Sequence, residues 1–271
     1  MQTLSSKKIG LIAGEGELPV RLAESAKKNG FEVIAVALSC DNRNELKSLC
    51  AQVYTYGPGE IEKILQTLHD EQIKDISFIG KVHKGLLFRK PKLDATAIKL
   101  LKQRTRLNDD MIMLTLSDEL KQEGINVLDQ TLFLKEMLAV KCVYGKYAPD
   151  ENQLADIEYG FNTAKEIGKI DIGQAVVVKN KMILAVEAIE GTDRTIERGC
   201  KLGKKDAVVV KVSKPKQDNR FDVPTVGLST LKTIKKFGGR VLAVEAGETF
   251  IVGKKEMIEF ADKNKMVFIA V

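Results

Sequence analysis

Residues 171–227, DIGQAVVVKNKMILAVEAIEGTDRTIERGCKLGKKDAVVVKVSKPKQDNRFDVPTVG, decide the fold of the second half of this 271-residue chain. Two apolar runs, 175–179 and 182–189, flank Asn180-Lys181, and this pattern predicts a β-hairpin. The Gly-Thr-Asp turn at 191–193 follows the second run. Threonine and aspartate are preferred helix caps, so the turn is expected to cap a helix over 194–202.

A third apolar run, 207–212, contains Lys211 and is followed by the charged loop 218–222. Glu187 and Glu190 close the run before it. Carboxylates and lysines at the ends of several strands suit a phosphorylated substrate, usually through a divalent cation. The sequence therefore predicts phosphate chemistry at one edge of the second sheet.

The first half opens with a strand, a glycine loop, a helix and a second strand, over residues 9–38. This order predicts a Rossmann-like parallel sheet. Backbone N–H groups at Gly14 and Gly16 could approach an anion, although structural glycines in a strand-to-helix turn explain the motif equally well. Pro19 replaces the third glycine of the dinucleotide fingerprint, so no nicotinamide or flavin site is expected.

Strands are also predicted at 53–56, 75–80 and 125–128. Gly80 and Lys81 stand at the carboxyl end of the second of these, where ligands of open α/β sheets gather. Lys81 is thus a candidate contact for phosphate or uridine; the alternative is a solvated loop lysine.

The remaining strands are predicted at 240–245, 250–252 and 266–271, with a hairpin through 245–249. We therefore predict an α/β protein with a Rossmann-like domain over 1–143, a linker over 144–150 and a mixed α/β domain over 151–271 that carries the catalytic acids.

Composition narrows the class of function. A net charge of +6 suits anionic ligands or an anionic membrane face. Aromatic residues make up 6%, tryptophan is absent and the charges are interspersed, so nucleic acid is not an expected partner. Four scattered cysteines and two histidines make zinc ligation and a disulfide framework unexpected. No apolar run is long enough to span a membrane, and the oligomeric state, a homodimer included, stays open.

Two unusual elements carry a resemblance to a known family. They are E-G-T-D at 190–193 and D-x-R-x-D-x-P-T-x-G at 218–227, and an A-G-x-G-x-L-P loop begins at Ala13. In this order they resemble the UDP-2,3-diacylglucosamine pyrophosphatases of lipid A biosynthesis. The resemblance implies a Mg²⁺-dependent cytoplasmic hydrolase, peripheral to the inner membrane, with its lipid substrate in a cleft between two domains. The products would be UMP and 2,3-diacylglucosamine 1-phosphate (lipid X).

Pyrophosphate hydrolysis requires that the charge on the phosphate oxygens be neutralised and that a water molecule be oriented for attack. Candidate residues can be named for each task. Asp222 is the predicted metal ligand or water-orienting base, and it matches the essential acid of the family. Asp193 and Glu190 are predicted to complete the catalytic acids, and Asp110 is a second candidate metal ligand, unless it only begins a helix. The predicted substrate contacts are loop glycines and residues near strand ends: Gly14, Gly16, Leu18, Gly80, Lys81, Gln174, Gly191, Thr192, Lys211 and Arg220.

A different class of function remains open. A non-catalytic nucleotide- or lipid-binding sensor or carrier would use the Gly14/Gly16 loop for an anion and would need no histidine base. The acids around Asp222 distinguish the two readings, because a carrier has little need of them.

Overall fold

The computed structural model describes residues 6–82, 93–102 and 109–271, and the side chains of 100–102 and 109–112 lie outside this description. The chain divides into two compact units. The first consists of Met1–Lys135 and Asp218–Phe221, and the second of Glu136–Gln217 and Asp222–Val271.

The first unit contains a parallel sheet in the order β3-β2-β1-β4-β5. Its strands are β1 (Lys8–Ala13), β2 (Glu32–Ala37), β3 (Gln52–Thr55), β4 (Asp75–Ile79) and β5 (Asn126–Val127). The described helices are α1 (Leu18–Lys28), α2 (Arg43–Leu49), α3 (Ile61–Asp70), α4 (Ala95–Lys102), α5 (Asp109–Gln122) and α6 (Thr131–Leu134). This strand order is that of a Rossmann-like sheet, and the predicted class is confirmed.

The second unit contains a mixed sheet of six strands in the order β6-β13-β11-β9-β7-β8, and a small sheet pairs β10 with β12. The strands are β6 (Cys142–Tyr144), β7 (Ala175–Lys179), β8 (Met182–Val186), β9 (Ala207–Lys211), β10 (Thr225–Val226), β11 (Gly239–Val244), β12 (Phe250–Ile251) and β13 (Val267–Ala270). Strands β9, β11 and β13 are mutually parallel, while β6, β7 and β8 each run antiparallel to a neighbour. The predicted mixed α/β class is confirmed.

Alternating residues of this sheet face two separate cores. Val176 and Val208 pack on one face with Ile157 of α7 (Glu151–Lys169). Val177 and Val209 pack on the other face with three helices. These are α8 (Thr192–Gly203), α9 (Leu228–Lys236) and α10 (Lys254–Lys263). Helices on both faces explain why the strands read as continuous apolar runs.

The boundary between the units differs from the predicted one. The predicted first domain reaches residue 143 and the linker follows it, but the second unit already begins at Glu136. Strand β6 lies across the predicted boundary and pairs antiparallel with β13, Tyr144 opposite Phe268. The rings of these two residues stack at 4.7 Å. Because β6 has only three residues, its local pattern could not be told from a linker.

The predicted hairpin at Asn180-Lys181 is confirmed, and both residues have positive φ, 51° and 54°. Such a turn matches the twist of the flanking strands. The buried carboxylate of Asp156, on α7, accepts hydrogen bonds from the backbone N–H groups of Asn180 at 2.9 Å and Lys181 at 2.6 Å. One side chain therefore fixes the turn to the helix.

The predicted hairpin through 245–249 is not found. Strand β12 pairs in parallel with β10, Thr225 opposite Phe250 and Val226 opposite Ile251. Among the described residues, no helix is long and apolar enough to cross a membrane.

The Asp156 contact leads to a stability prediction. Asp156→Ala should lower the free energy of unfolding by at least about 1.5–3 kcal/mol, the range for one hydrogen bond to a charged group, because two such bonds are lost. Urea denaturation would measure the change. Glu158→Ala, at an exposed position of the same helix, should change the free energy by less than about 0.5 kcal/mol. Equal losses in the two variants would show that the turn does not depend on Asp156.

Candidate functional site

Polar side chains gather at one edge of the second sheet because of its strand directions. Strand β9 ends at Lys211, and Ala175, the first residue of the antiparallel β7, lies directly opposite. Gln174 precedes that residue, and Glu187 follows β8 at the same edge, where its N–H donates to the carbonyl of Ala175 at 2.9 Å. The sheet therefore brings Gln174, Glu187 and Lys211 to one edge.

Lys211 joins the two motif elements. Lys211 is a buried residue, and its ammonium donates to the hydroxyl oxygen of Thr192 at 3.3 Å and to the carbonyl oxygen of Thr225 at 3.1 Å. The Thr192 hydroxyl in turn donates to Oε1 of the buried Glu187 at 2.7 Å. A fixed cation and a fixed carboxylate thus lie on either side of one hydroxyl group, at an edge where phosphate binding was predicted.

The predicted cap of the helix after this turn is wrong. Helix α8 begins at Thr192, Gly191 is its N-cap residue with φ 80°, and no side chain caps the terminus. Thr192 is unavailable as a cap because its hydroxyl is hydrogen-bonded to Glu187. Thr192 therefore serves the polar edge of the sheet rather than capping the helix with its side chain.

Glu190 and Asp193 lie at the same turn but in different surroundings. The Glu190 carboxylate forms an ion pair with Arg198 of α8. Hydrogen bonds from its own backbone N–H and from Arg198 lower the pKa of Glu190 below its usual range. Asp193 is exposed in the first turn of α8. Through this ion pair Glu190 anchors α8.

Gln174 has a feature that suits a ligand contact. Its side-chain carbonyl oxygen is buried and has no hydrogen-bond partner among the described residues. Its backbone N–H points to Oε2 of Glu187 at 3.4 Å. A buried acceptor without a donor costs free energy, so an N–H or O–H group of a ligand would stabilise it.

Three residues of the same edge were missed by the sequence predictions. Glu245 follows β11 and accepts from the N–H of Ser213 at 2.7 Å and from the ammonium of Lys165 at 2.7 Å. Lys165 also donates to the Ser213 carbonyl at 2.8 Å. The position of Glu245 just after a strand is the same signal that drew attention to Lys211. Lys165 lies on α7, and no local pattern indicates its contacts.

Asp222 is half-buried and accepts a hydrogen bond from the side-chain amide of Gln217, Nε2 to Oδ2, at 2.9 Å. Among the described residues, no group of three or more His, Cys, Asp or Glu is placed to hold a metal ion. Asp110 lies in the first turn of α5, and its side chain is outside the described part. One carboxylate with substrate phosphates and water fits Mg²⁺, which rarely uses an all-protein cage.

The loop before Asp222 belongs to the first unit, although the whole of 151–271 was predicted to be one domain. The guanidinium of Arg220 donates to both oxygens of Asp218 and to the hydroxyl of Ser117 at 2.9 Å. Hydrogen bonds from the Arg220 side chain hold the pKa of Asp218 below its usual range. Gln130 donates from its side-chain amide to the carbonyl oxygens of Phe221 and of Phe78. The structure therefore uses Arg220, a predicted phosphate contact, to fasten this loop.

The glycine loop of the first unit is occupied by internal hydrogen bonds. The N–H of Gly14 donates to Ile79 O at 2.8 Å and that of Glu15 to Lys81 O at 2.7 Å. The N–H of Gly16 donates to the carboxylate of Asp41 at 3.2 Å. These three groups are therefore not directed at an anion, and a ligand would have to displace Asp41 to reach Gly16.

Close backbone approach explains two of these glycines. An added Cβ at Gly14 would lie 2.6 Å from Lys81 O, and one at Gly80 would lie 2.8 Å from Glu15 O. Gly80 also has φ 97°. The exposed Lys81 forms a β-bridge with Glu15 here, and Leu18 begins α1 close by. The pairing of the two loops thus requires these glycines, with or without a ligand.

Comparisons with known proteins agree over nearly the whole chain. The LpxI N-terminal domain matches residues 8–137, and the LpxI C-terminal domain matches residues 140–269. The UDP-2,3-diacylglucosamine pyrophosphatase LpxI of Caulobacter vibrioides is 33% identical over 269 residues, covering 94% of each chain.

Similarities to solved structures are weak. The N5-carboxyaminoimidazole ribonucleotide synthetase of Thermotoga maritima shares 18% identity and a TM-score of 0.26, with 68% of this chain and 42% of that chain covered. The corresponding synthetase of Staphylococcus aureus shares 16% identity and a TM-score of 0.25, with coverages of 71% and 44%. Scores this low support no conclusion about either unit.

The loop geometry predicts unequal costs for two glycine substitutions. Gly80→Ala should lower the free energy of unfolding by about 3 kcal/mol or more, because it adds both a clash and an unfavourable φ. Thermal or urea unfolding would measure it.

Gly16→Ala is the matched control, since Gly16 has φ 92° but no atom within 4 Å of an added Cβ. Its cost should be about 1 kcal/mol, from backbone strain alone. If Gly80→Ala were no more costly than Gly16→Ala, the close approach of the two loops would not hold in solution.

Proposed function

The chain belongs to the LpxI family, and we propose on this basis that it hydrolyses the pyrophosphate bond of UDP-2,3-diacylglucosamine. The products are UMP and 2,3-diacylglucosamine 1-phosphate. The observation that supports phosphate chemistry at the second sheet is the buried residue Lys211. Its ammonium donates to Thr192 of the E-G-T-D element and to Thr225 of the D-x-R-x-D-x-P-T-x-G element. A buried cation attracts phosphate more strongly than an exposed one because screening by water is weaker.

Lys211 neutralises charge on a non-bridging phosphate oxygen. Its hydrogen bonds to Thr192 and Thr225 hold the ammonium in place before substrate binds, so little reorganisation is needed during the reaction. Glu187 keeps the Thr192 hydroxyl turned toward itself, which leaves the lone pairs of that hydroxyl for Lys211. The side-chain oxygen of Gln174 accepts a hydrogen bond from an N–H or O–H group of the nucleotide or the sugar.

Asp222 orients the attacking water molecule or ligates a divalent cation. Its Oδ2 receives the amide of Gln217, which leaves Oδ1 for either task. Mg²⁺, when bound by Asp222 together with phosphate oxygens, would supply further neutralisation of the pyrophosphate charge. Asp193, exposed at the start of α8, faces solvent from the same turn as Thr192 and is the remaining candidate acid.

The substrate carries two acyl chains and resides in a bilayer, so we place the protein in the cytoplasm, peripheral to the inner membrane. Its net charge of +6 suits an anionic lipid surface. A homodimer is compatible with this arrangement.

A non-catalytic nucleotide- or lipid-binding carrier is the second candidate. The feature that favoured it was a Gly14/Gly16 loop ready to receive an anion. Because the N–H groups of Gly14, Glu15 and Gly16 all donate to acceptors within the protein, that feature no longer distinguishes a carrier.

Asp222→Ala tests the proposed hydrolysis. UMP release from UDP-2,3-diacylglucosamine should fall by about 10²–10⁴-fold, the range for loss of a positioned acid or base, while substrate binding is retained. A chromatographic assay for UMP in the presence of Mg²⁺ measures turnover, and equilibrium binding of the substrate is measured separately.

The control is Glu259→Ala, which removes an exposed acid from α10 and should leave UMP release unchanged. Binding without UMP release by the wild-type protein would favour the carrier. Equal turnover of wild type and Asp222→Ala would remove Asp222 from the mechanism. Chelation of Mg²⁺ in the wild-type assay tests the cation requirement.

A further inference from the structure

The side-chain amide of Gln217 bridges Asp222 and the backbone of Lys214. Its Nε2 donates to Asp222 Oδ2 at 2.9 Å, and its Oε1 accepts from the N–H of Lys214 at 3.0 Å. Both ends of the amide are therefore used, and each has a partner of the required polarity.

These partners fix the orientation of the amide. A carboxylate only accepts hydrogen bonds and a backbone N–H only donates them. If the Gln217 amide were rotated by 180°, its oxygen would face the oxygen of Asp222 and its NH₂ group would face the N–H of Lys214. Both contacts would be repulsive, so Gln217 must present a donor to Asp222.

Gln217 is itself held at a fixed place. Its backbone N–H donates to the carbonyl of Lys214 at 2.9 Å, which closes a tight turn. The ammonium of Lys214 pairs with Asp171 at 2.7 Å, and this anchors the turn to the segment that precedes β7. A side chain that starts from an anchored turn and bonds at both ends has little freedom to move.

The segment between Gln217 and Asp222 folds differently from the two residues that flank it. Residues Asp218–Phe221 fold with the first unit, whereas Gln217 and Asp222 both belong to the second. The hydrogen bond between Gln217 and Asp222 therefore joins the residues on either side of this four-residue segment. Asp222 is the first residue after that segment. Without the hydrogen bond from Gln217, no described side chain would set the rotation of its carboxylate.

We propose that Gln217 is a positioning residue for the hydrolysis. It holds Oδ2 of Asp222 and so turns Oδ1 toward the water molecule or cation at the phosphate. The inference rests on the proposed function, in which Asp222 acts on the pyrophosphate. A carboxylate free to rotate would spend part of its time misaligned, which slows the reaction without weakening substrate binding.

The first test is the kinetics of Gln217→Met, which keeps the length of the side chain but removes the donor. We expect kcat for UMP release to fall by about 10–100-fold, the usual effect of losing a group that orients an active-site ligand, with KM within about twofold of wild type. Gln217→Glu should lose at least as much, because it places an acceptor against Asp222. Lys216→Ala, at an exposed position in the same turn, is the matched control and should keep wild-type kcat.

A double-mutant cycle separates positioning from a general structural effect. If Gln217 acts through Asp222, Gln217→Met should cause no further loss of kcat in an Asp222→Asn background, because residues that act as a unit are not additive. Full additivity, or a rise in KM with unchanged kcat, would overturn the proposal.

A crystal structure of Gln217→Met gives a readout that does not depend on turnover. A changed or multiple orientation of the Asp222 carboxylate, with the 214–217 turn intact, supports the proposal; an unchanged single orientation overturns it. Absence of UMP release by the wild-type protein would refute the hydrolysis instead, and the crystallographic result would still decide whether Gln217 orients Asp222.

Discussion

The polar edge of the second sheet depends on one buried cation. Lys211 ends β9, an otherwise apolar strand, and the residue is buried. Burying such a charge is costly unless it is hydrogen-bonded. Thr192 and Thr225 supply acceptors, and Glu187 supplies a carboxylate beyond Thr192. This requirement explains why Thr192 and Thr225, which belong to two separate sequence elements, meet at this edge.

The direction of the strands determines which residues lie near Lys211 and its hydrogen-bond partners. Parallel strands β9 and β11 end at one edge, and the antiparallel β7–β8 hairpin brings Gln174 and Glu187 to the same edge. The Asp156 contact that fixes the hairpin turn lies at the opposite end of those strands. The Asp156 hydrogen bonds therefore stabilise one end of the hairpin, and the polar residues Gln174 and Glu187 lie at the other end.

Much of the fold could be predicted because its signals are local. The five strands of the first unit and the Asn180-Lys181 hairpin follow from apolar runs and turn residues that lie next to each other in sequence. The pairing of β6 with β13 and of β10 with β12 could not be predicted in this way. Each pair joins strands that are not neighbours in sequence, and β6, β10 and β12 have only two or three residues, too few to show a periodicity.

The candidate site was predicted in part for the same reason. Lys211 and Glu187 could be found because charged residues at strand ends are visible in sequence. The hydrogen-bond partner of a side chain is not visible in the sequence. Nothing local shows that Asp41 accepts from Gly16, that Arg220 binds Ser117 in the first unit, or that Gln217 donates to Asp222. Such contacts depend on how distant segments pack, so the glycine loop was assigned to a ligand and Gln217 was overlooked.

The central claim is that Lys211 marks the place where the pyrophosphate binds. A crystal structure of the Asp222→Asn variant with UDP-2,3-diacylglucosamine tests it most directly. The account predicts a phosphate oxygen within hydrogen-bond distance of Lys211 Nζ, about 3 Å. A pyrophosphate bound in full density away from Lys211, with the ammonium still bonded only within the protein, would contradict it.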